Sequence, residues 1–91
     1  MRLSGAQGTY TLEQGPHNVG RTQSATVPVV DPQVSRNHAV LTVAPTEVRL
    51  EDSGSANGTF VNGAQIRQSA TLKGGDRVRF GSVEFIVELI S

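Results

Sequence analysis

No window of this chain carries an apolar stripe at 3.6-residue spacing over the length of a helix, and that absence constrains the fold most. What stands instead is a series of short runs in which apolar and polar residues alternate. Ala39, Leu41 and Val43 alternate with His38, Val40 and Thr42, and Val48 and Leu50 alternate with Glu47, Arg49 and Glu51. A period of two belongs to a strand with one face on a core.

Turn residues cut the runs apart. Arg2-Leu3 and Thr9-Tyr10-Thr11-Leu12 flank a turn-rich Ser4–Gly8, Gln14-Gly15-Pro16 reads as a tight turn, and His17–Arg21 as a short strand ending at Gly20. Thr22–Ala25 is small and polar, a loop. Thr26–Val30 has strand composition, but Pro28 lacks an N–H and belongs at an edge or bulge. Asp31-Pro32 starts another turn, leading into Ser35. Asn57-Gly58 and Asn62-Gly63 are type I′ hairpin signals, because Asn and Gly tolerate left-handed φ. After the turn at Lys73–Asp76, two closing strands are expected, Arg77–Phe80 and Val83–Ile90, joined by Gly81-Ser82. The second carries Phe85, Val87 and Leu89 on one side and Ile86 and Ile90 on the other. It suits a strand at the sheet centre or buried on both faces. About ten short strands with closely spaced turns predict an all-β, two-sheet sandwich.

A chain of 91 residues is one domain over 1–91, either a complete small protein or a piece of a longer one. It has no cysteine, so disulfides and thiolate metal sites are excluded and an intracellular, reducing setting is favoured. Eight basic and eight acidic residues cancel, which argues against a nucleic-acid binder that needs a cationic face. No apolar run approaches the length of a membrane helix, and no signal peptide opens the chain. Membrane insertion is not expected.

Ser35 and His38, with Asp31, Asp52 and Asp76 near in sequence, allow a hydrolytic triad to be imagined. Positions three apart on an extended strand point to opposite faces, so the pair would meet only across a bend. No Gly-x-Ser-x-Gly elbow presents a nucleophile, so no catalytic residue is assigned. Two histidines far apart and scattered acids offer no metal site, and no cofactor motif is present. Asp52 and Asp76 stand beside turn residues, where a carboxylate caps backbone N–H groups. Asn57-Gly58-Thr59 fits a glycosylation sequon, but without a secretory signal the turn reading is preferred.

Three polar loop segments carry the remaining chemistry: Gly20-Arg21, Ser35–His38 and Asp52–Gly63. Arg21 supplies a planar fork that pairs a phosphate two-pronged, as lysine cannot. Ser35 offers a hydroxyl, Arg36 an N–H and a second cation, and Asn57 an amide that can grip a peptide's donor and acceptor together. A phosphothreonine, with nearly two negative charges and three acceptor oxygens, matches that set. Singly, each residue has a plain alternative: Arg21 as a solvated strand end, Ser35 as a turn former, Asn57 as a hairpin residue.

Gly20-Arg21, Ser35-x-x-His38, Asn57–Gly63 and Gly75-Asp76-x-Val78-x-Phe80-Gly81 together resemble the forkhead-associated (FHA) domain family, a group of phospho-motif readers. The resemblance implies a β-sandwich of about eleven short strands whose loops at one end bind phosphothreonine in extended peptides. It implies that Arg21, Ser35 and Arg36 meet the phosphate and that Asn57 holds the peptide main chain beside the residue after the phosphothreonine. His38 would brace the loops from below, Gly20 and Gly58 would permit close backbone approach, and Thr59 and Asn62 would set loop and hairpin geometry. The implied partner is a protein phosphorylated by a Ser/Thr kinase, in phosphorylation-dependent signalling. At Ala56 the sequence departs from a threonine that often gives the phosphate another hydroxyl. A domain of the same fold that acts as a phosphate-independent scaffold or oligomerisation unit, through a sheet face or strand edge, is the alternative.

Overall fold

The computed structural model describes residues 1–89, and these form two packed β-sheets. Eleven strands run in chain order: β1 (Arg2–Gly5), β2 (Gly8–Thr11), β3 (Gly15–Gly20), β4 (Val27–Pro28), β5 (Ala39–Val43), β6 (Val48–Asp52), β7 (Thr59–Val61), β8 (Ala64–Gln65), β9 (Ser69–Leu72), β10 (Arg77–Phe80) and β11 (Val83–Glu88). One sheet has the order β2-β1-β11-β10-β7-β8 and the other β4-β3-β5-β6-β9. Alternation decides which face of each strand turns inward. Leu41 and Val43 pair across β5–β6 with Leu50 and Val48, so the inward-facing apolar positions of the two strands fall opposite one another, while Ala39 pairs with Asp52 at the loop end.

Between the sheets, Leu3, Val19, Leu41, Leu50, Val78, Phe80, Phe85 and Val87 are fully buried. Each such side chain contributes roughly 1.5–3 kcal/mol by leaving water. Three edge-on or tilted ring contacts run through this core from Tyr10 to Phe85, Phe85 to Phe80 and Phe80 to His38, with centroids 6.2, 6.1 and 5.7 Å apart. The last ring in the series lies directly beneath the loops.

Most expected strands are present, with shifted ends. Pro28 sits where the missing N–H costs least, on the two-residue edge strand β4, which pairs with β3 in parallel. The turn expected at Gln14-Gly15-Pro16 contracts to a bend at Gln14, and β3 already begins at Gly15. Strands β8 and β9 have no counterpart in the sequence analysis: both lie at sheet edges and Leu72 is their one buried residue, so Ala64-Gln65 and Ser69–Leu72 show no apolar alternation.

Strand β11 lies inside the six-stranded sheet, which meets the sheet-centre form of its expectation; the other form does not apply, because only one of its faces is buried. Phe85 and Val87 face the core, while Ile86 and Leu89 are 37% and 48% exposed. Nothing among the described residues covers the outer face of an antiparallel sheet here, and Ile86 lies between Ser4 and Arg77 in the ladder. The strand stops at Glu88, and Ile90 lies outside the described residues. One expectation is corrected, the hairpin at Asn57-Gly58. Strands β6 and β7 belong to different sheets, so this pair sits in a crossover loop and not in a hairpin. Gly58 has φ 88°, but Asn57 is not left-handed; Asn62 and Gly63, at 52° and 84°, do form the expected type I′ turn between β7 and β8.

Candidate functional site

Three connections meet at one end of the sandwich: β3–β4, β4–β5 and β6–β7. The Arg21 N–H donates to the Ser35 carbonyl at 3.1 Å, and the Val29 N–H to the Gly20 carbonyl at 2.8 Å. The end of β3 runs tightly against the β4–β5 connection at Gly20. A Cβ placed there would lie 1.8 Å from the Arg36 carbonyl oxygen, inside any allowed contact. Glycine at the end of β3 is therefore what lets Arg21 stand beside Ser35 and Arg36.

His38 holds the loops together from beneath. The chain bends at Arg36 and Asn37, which brings Ser35 and His38 to the same side despite their spacing. His38 is fully buried, where a strict alternation with Ala39 would turn it outward. The Ser35 N–H donates to its Nδ1 at 3.0 Å, and its Nε2 lies 2.8 Å from the Gly58 carbonyl. A carbonyl only accepts, so Nε2 carries the proton and Nδ1 is the acceptor. One ring thus ties β4–β5 to β6–β7. Replacing it by alanine removes both bonds and the edge contact with Phe80, a loss of about 2–3 kcal/mol. The expected result for His38→Ala is a lower melting temperature together with weaker ligand binding. Weakened binding with an unchanged melting curve would make His38 a direct ligand contact.

The β6–β7 loop is organised around Asp52. Its carboxylate accepts hydrogen bonds from the Gly54 and Ser55 N–H groups, both at 2.8 Å, from Ser55 Oγ at 2.6 Å and from Thr59 Oγ1 at 2.7 Å. Thr59, fully buried at the start of β7, fixes loop geometry from below. Burial pushes the Asp52 carboxyl up, but the bonds from Ser55, Thr59 and Gly54 outweigh it and hold the group below the ordinary carboxylate range. A depressed folded value means stability that is complete above the unfolded pKa and drains away as the pH falls through the folded one. Urea midpoints are thus expected to hold steady down to about pH 5 and to drop below about pH 4. Asp52→Asn should start lower at neutral pH and fall less steeply; an acid limb as steep as wild type would remove Asp52 from that role.

Around this frame the polar groups converge. Arg21, Arg36, Ala56 and Asn57 are exposed and Ser35 is half-buried. Among the described residues the ion pair is Arg2–Glu88, on the six-stranded sheet, so no carboxylate neutralises Arg21 or Arg36. Ser35 Oγ accepts from the Ala56 N–H at 3.1 Å, which leaves its own proton free to be donated outward. Asn57 Nδ2 donates to the Gln33 carbonyl at 2.8 Å, leaving Oδ1 and a second N–H unused. Gly58 donates to Ser55 Oγ at 3.0 Å. Eight of the nine residues singled out in the sequence therefore gather at this end.

Asn62 does not. It stands at the opposite end, donating through Nδ2 to Asp76 Oδ1 and accepting from the Arg77 N–H, both at 3.0 Å. Its role is the geometry of the β7–β8 hairpin and of the β9–β10 turn, where Asp76 also accepts from the Lys73 N–H. The capping reading of Asp52 and Asp76 holds at both positions. Gln33 and Ser82 carry no site signal in the sequence, because the contacts that tie them to this end, Gln33 with Asn57 and Ser82 with Asp31, join residues remote in the chain.

The sandwich thus presents cations without an ion-pair partner among the described residues, a free hydroxyl and a half-used amide together on loops pinned at one end. The FHA domain profile matches residues 17–81, and the chain belongs to that family. FhaA of Mycobacterium tuberculosis is 38% identical over 85 residues, which cover 93% of this chain and 16% of FhaA. A solved FHA domain whose interactions depend on phosphothreonine superposes with a TM-score of 0.91 at 35% identity, over 99% of this chain and 96% of the other. EmbR of Mycobacterium tuberculosis, solved with a low-affinity phosphopeptide, gives 0.90 at 29% identity over 96% of this chain and 24% of EmbR. The chain spans 50% of FhaB and 16% of FhaA, so it matches one part of longer relatives.

Proposed function

We propose that this domain reads phosphothreonine in extended peptides and so recruits a Ser/Thr kinase product, inside the cell, without catalysing a reaction. The observation that carries the reading is the gathering of Arg21, Ser35, Arg36 and Asn57 over the His38 brace. Arg21 takes the phosphate in two-pronged fashion. Ser35 donates its free hydroxyl proton, and Arg36 adds its N–H and charge. Asn57 offers its unused Oδ1 and N–H to the peptide main chain. Ala56 adds no hydroxyl; its N–H is spent on Ser35, which leaves Ser35 as the hydroxyl donor at that point.

Titration calorimetry with a phosphothreonine peptide pool and its unphosphorylated twin, at physiological salt, tests this. Micromolar binding of the phosphorylated pool alone is expected. Equal binding of both pools, or of neither, would return the domain to a phosphate-independent scaffold of the same fold.

A further inference from the structure

The Asn57 amide does not orient itself. Its exposed side chain could present either end to a peptide, and the two ends have opposite hydrogen-bonding character. The Gln33 carbonyl decides between them: it accepts only, so Nδ2 faces it and Oδ1 faces away. What matters next is what holds that carbonyl still.

Asp31 holds it from two sides. Asp31-Pro32-Gln33-Val34 is a β-turn closed by the Val34 N–H on the Asp31 carbonyl at 3.0 Å, with Asp and Pro at the positions such turns favour. That bond fixes the peptide plane whose other end is the Gln33 carbonyl, so the carbonyl points toward Asn57. The preceding plane is fixed by the Gln33 N–H, which donates to Asp31 Oδ1 at 2.8 Å. Asp31 Oδ2 in turn accepts from the Ser82 hydroxyl of the β10–β11 turn. The same turn is packed closely under the loop: a Cβ on Gly81 would come within 2.8 Å of Asp31 Oδ1 and 3.0 Å of Val34 Cγ2. The hydrogen bonds from Ser82 and Gln33 hold the Asp31 carboxyl below its usual range, so it is ionised and purely an acceptor at neutral pH.

We propose that Asp31, anchored by Ser82, is a positioning residue that sets which end of the Asn57 amide faces the bound peptide. This rests on the phosphopeptide reading for its functional meaning, but not for its first test. In the free protein, the Asn57 side-chain NH2 signal should show slow, ordered behaviour by heteronuclear NOE. Asp31→Ala and Ser82→Ala should loosen it, Asp31→Asn, which keeps Oδ1, should largely preserve it, and Asp76→Ala at the opposite end should leave it unchanged. Titration with a phosphothreonine peptide then gives the coupling. Asp31→Ala is expected to weaken binding roughly three- to tenfold, the worth of one or two hydrogen bonds. In an Asn57→Ala background it should weaken binding no further. Losses that multiply, or an Asn57 amide signal indifferent to Asp31, would overturn the proposal. Absence of phosphopeptide binding in the wild type would instead defeat the reading of the site, while the amide signal would still decide for or against Asp31.

Discussion

Replacing Arg21 with alanine is expected to lower affinity for a phosphothreonine peptide on the order of a hundredfold while leaving the melting temperature essentially unchanged. The two halves of that statement have separate causes. Arg21 is exposed, and its structural contact is the backbone N–H on the Ser35 carbonyl, which alanine keeps. Surface truncations of this kind shift stability by no more than about 0.5 kcal/mol. A phosphate held as proposed would, by contrast, lose a two-pronged charge-assisted contact and retain Arg36 as a less specific cation. Arg21→Lys separates charge from geometry: it keeps the point charge and loses the fork, so binding should recover only in part. Phosphopeptide affinity within a factor of two of wild type in Arg21→Ala would falsify the phosphate-site assignment.

Gly20→Ala should act through the fold. The added methyl would fall 1.8 Å from the Arg36 carbonyl oxygen, 2.9 Å from its carbon and 3.5 Å from the Ser35 oxygen. These are backbone atoms, and no rotamer can move them. Relief requires β3 to part from the β4–β5 loop, which breaks the bonds from Arg21 to Ser35, from Val29 to Gly20 and from His38 to Val19. A loss of more than about 4 kcal/mol is expected, at the exceptional end for a single methyl. A domain of this size has little beyond that to lose, so urea denaturation should find it largely unfolded or shifted far to low urea. A mild shift with retained binding would mean that the loop can retreat without cost. Gly58→Ala should be gentler: the neighbour there is the mobile end of Gln65, and the cost is mainly the left-handed φ of 88°.

Much of this was legible in the residues. The alternation of Ala39–Val43 and Val48–Leu50 gave the paired strands, Pro28 marked its edge, and Asn62-Gly63 marked its hairpin. The candidate site residues stand out by order and spacing along the chain, Gly20-Arg21 before Ser35-x-x-His38 before Asn57, and the fold brings these positions to one end. Asn57-Gly58 misled because the same dipeptide serves any loop that needs one left-handed residue, and only the sheet assignment of β6 and β7 excludes a hairpin. Ile86 misled because an apolar residue in a central strand looks the same whether or not anything packs on it.

By itself, then, the sequence determined the strand content, the turn positions and the supply of cations, hydroxyls and amides, since each depends on side chains within a few positions of one another. Tertiary structure alone decided that Ser35 meets Ala56, that His38 reaches Gly58, and that Asp31 meets Ser82 across 51 positions. Those contacts join loops whose strands lie in different sheets or far apart in the chain. Their geometry follows from sheet order, register and packing summed over the whole domain, which no local pattern encodes.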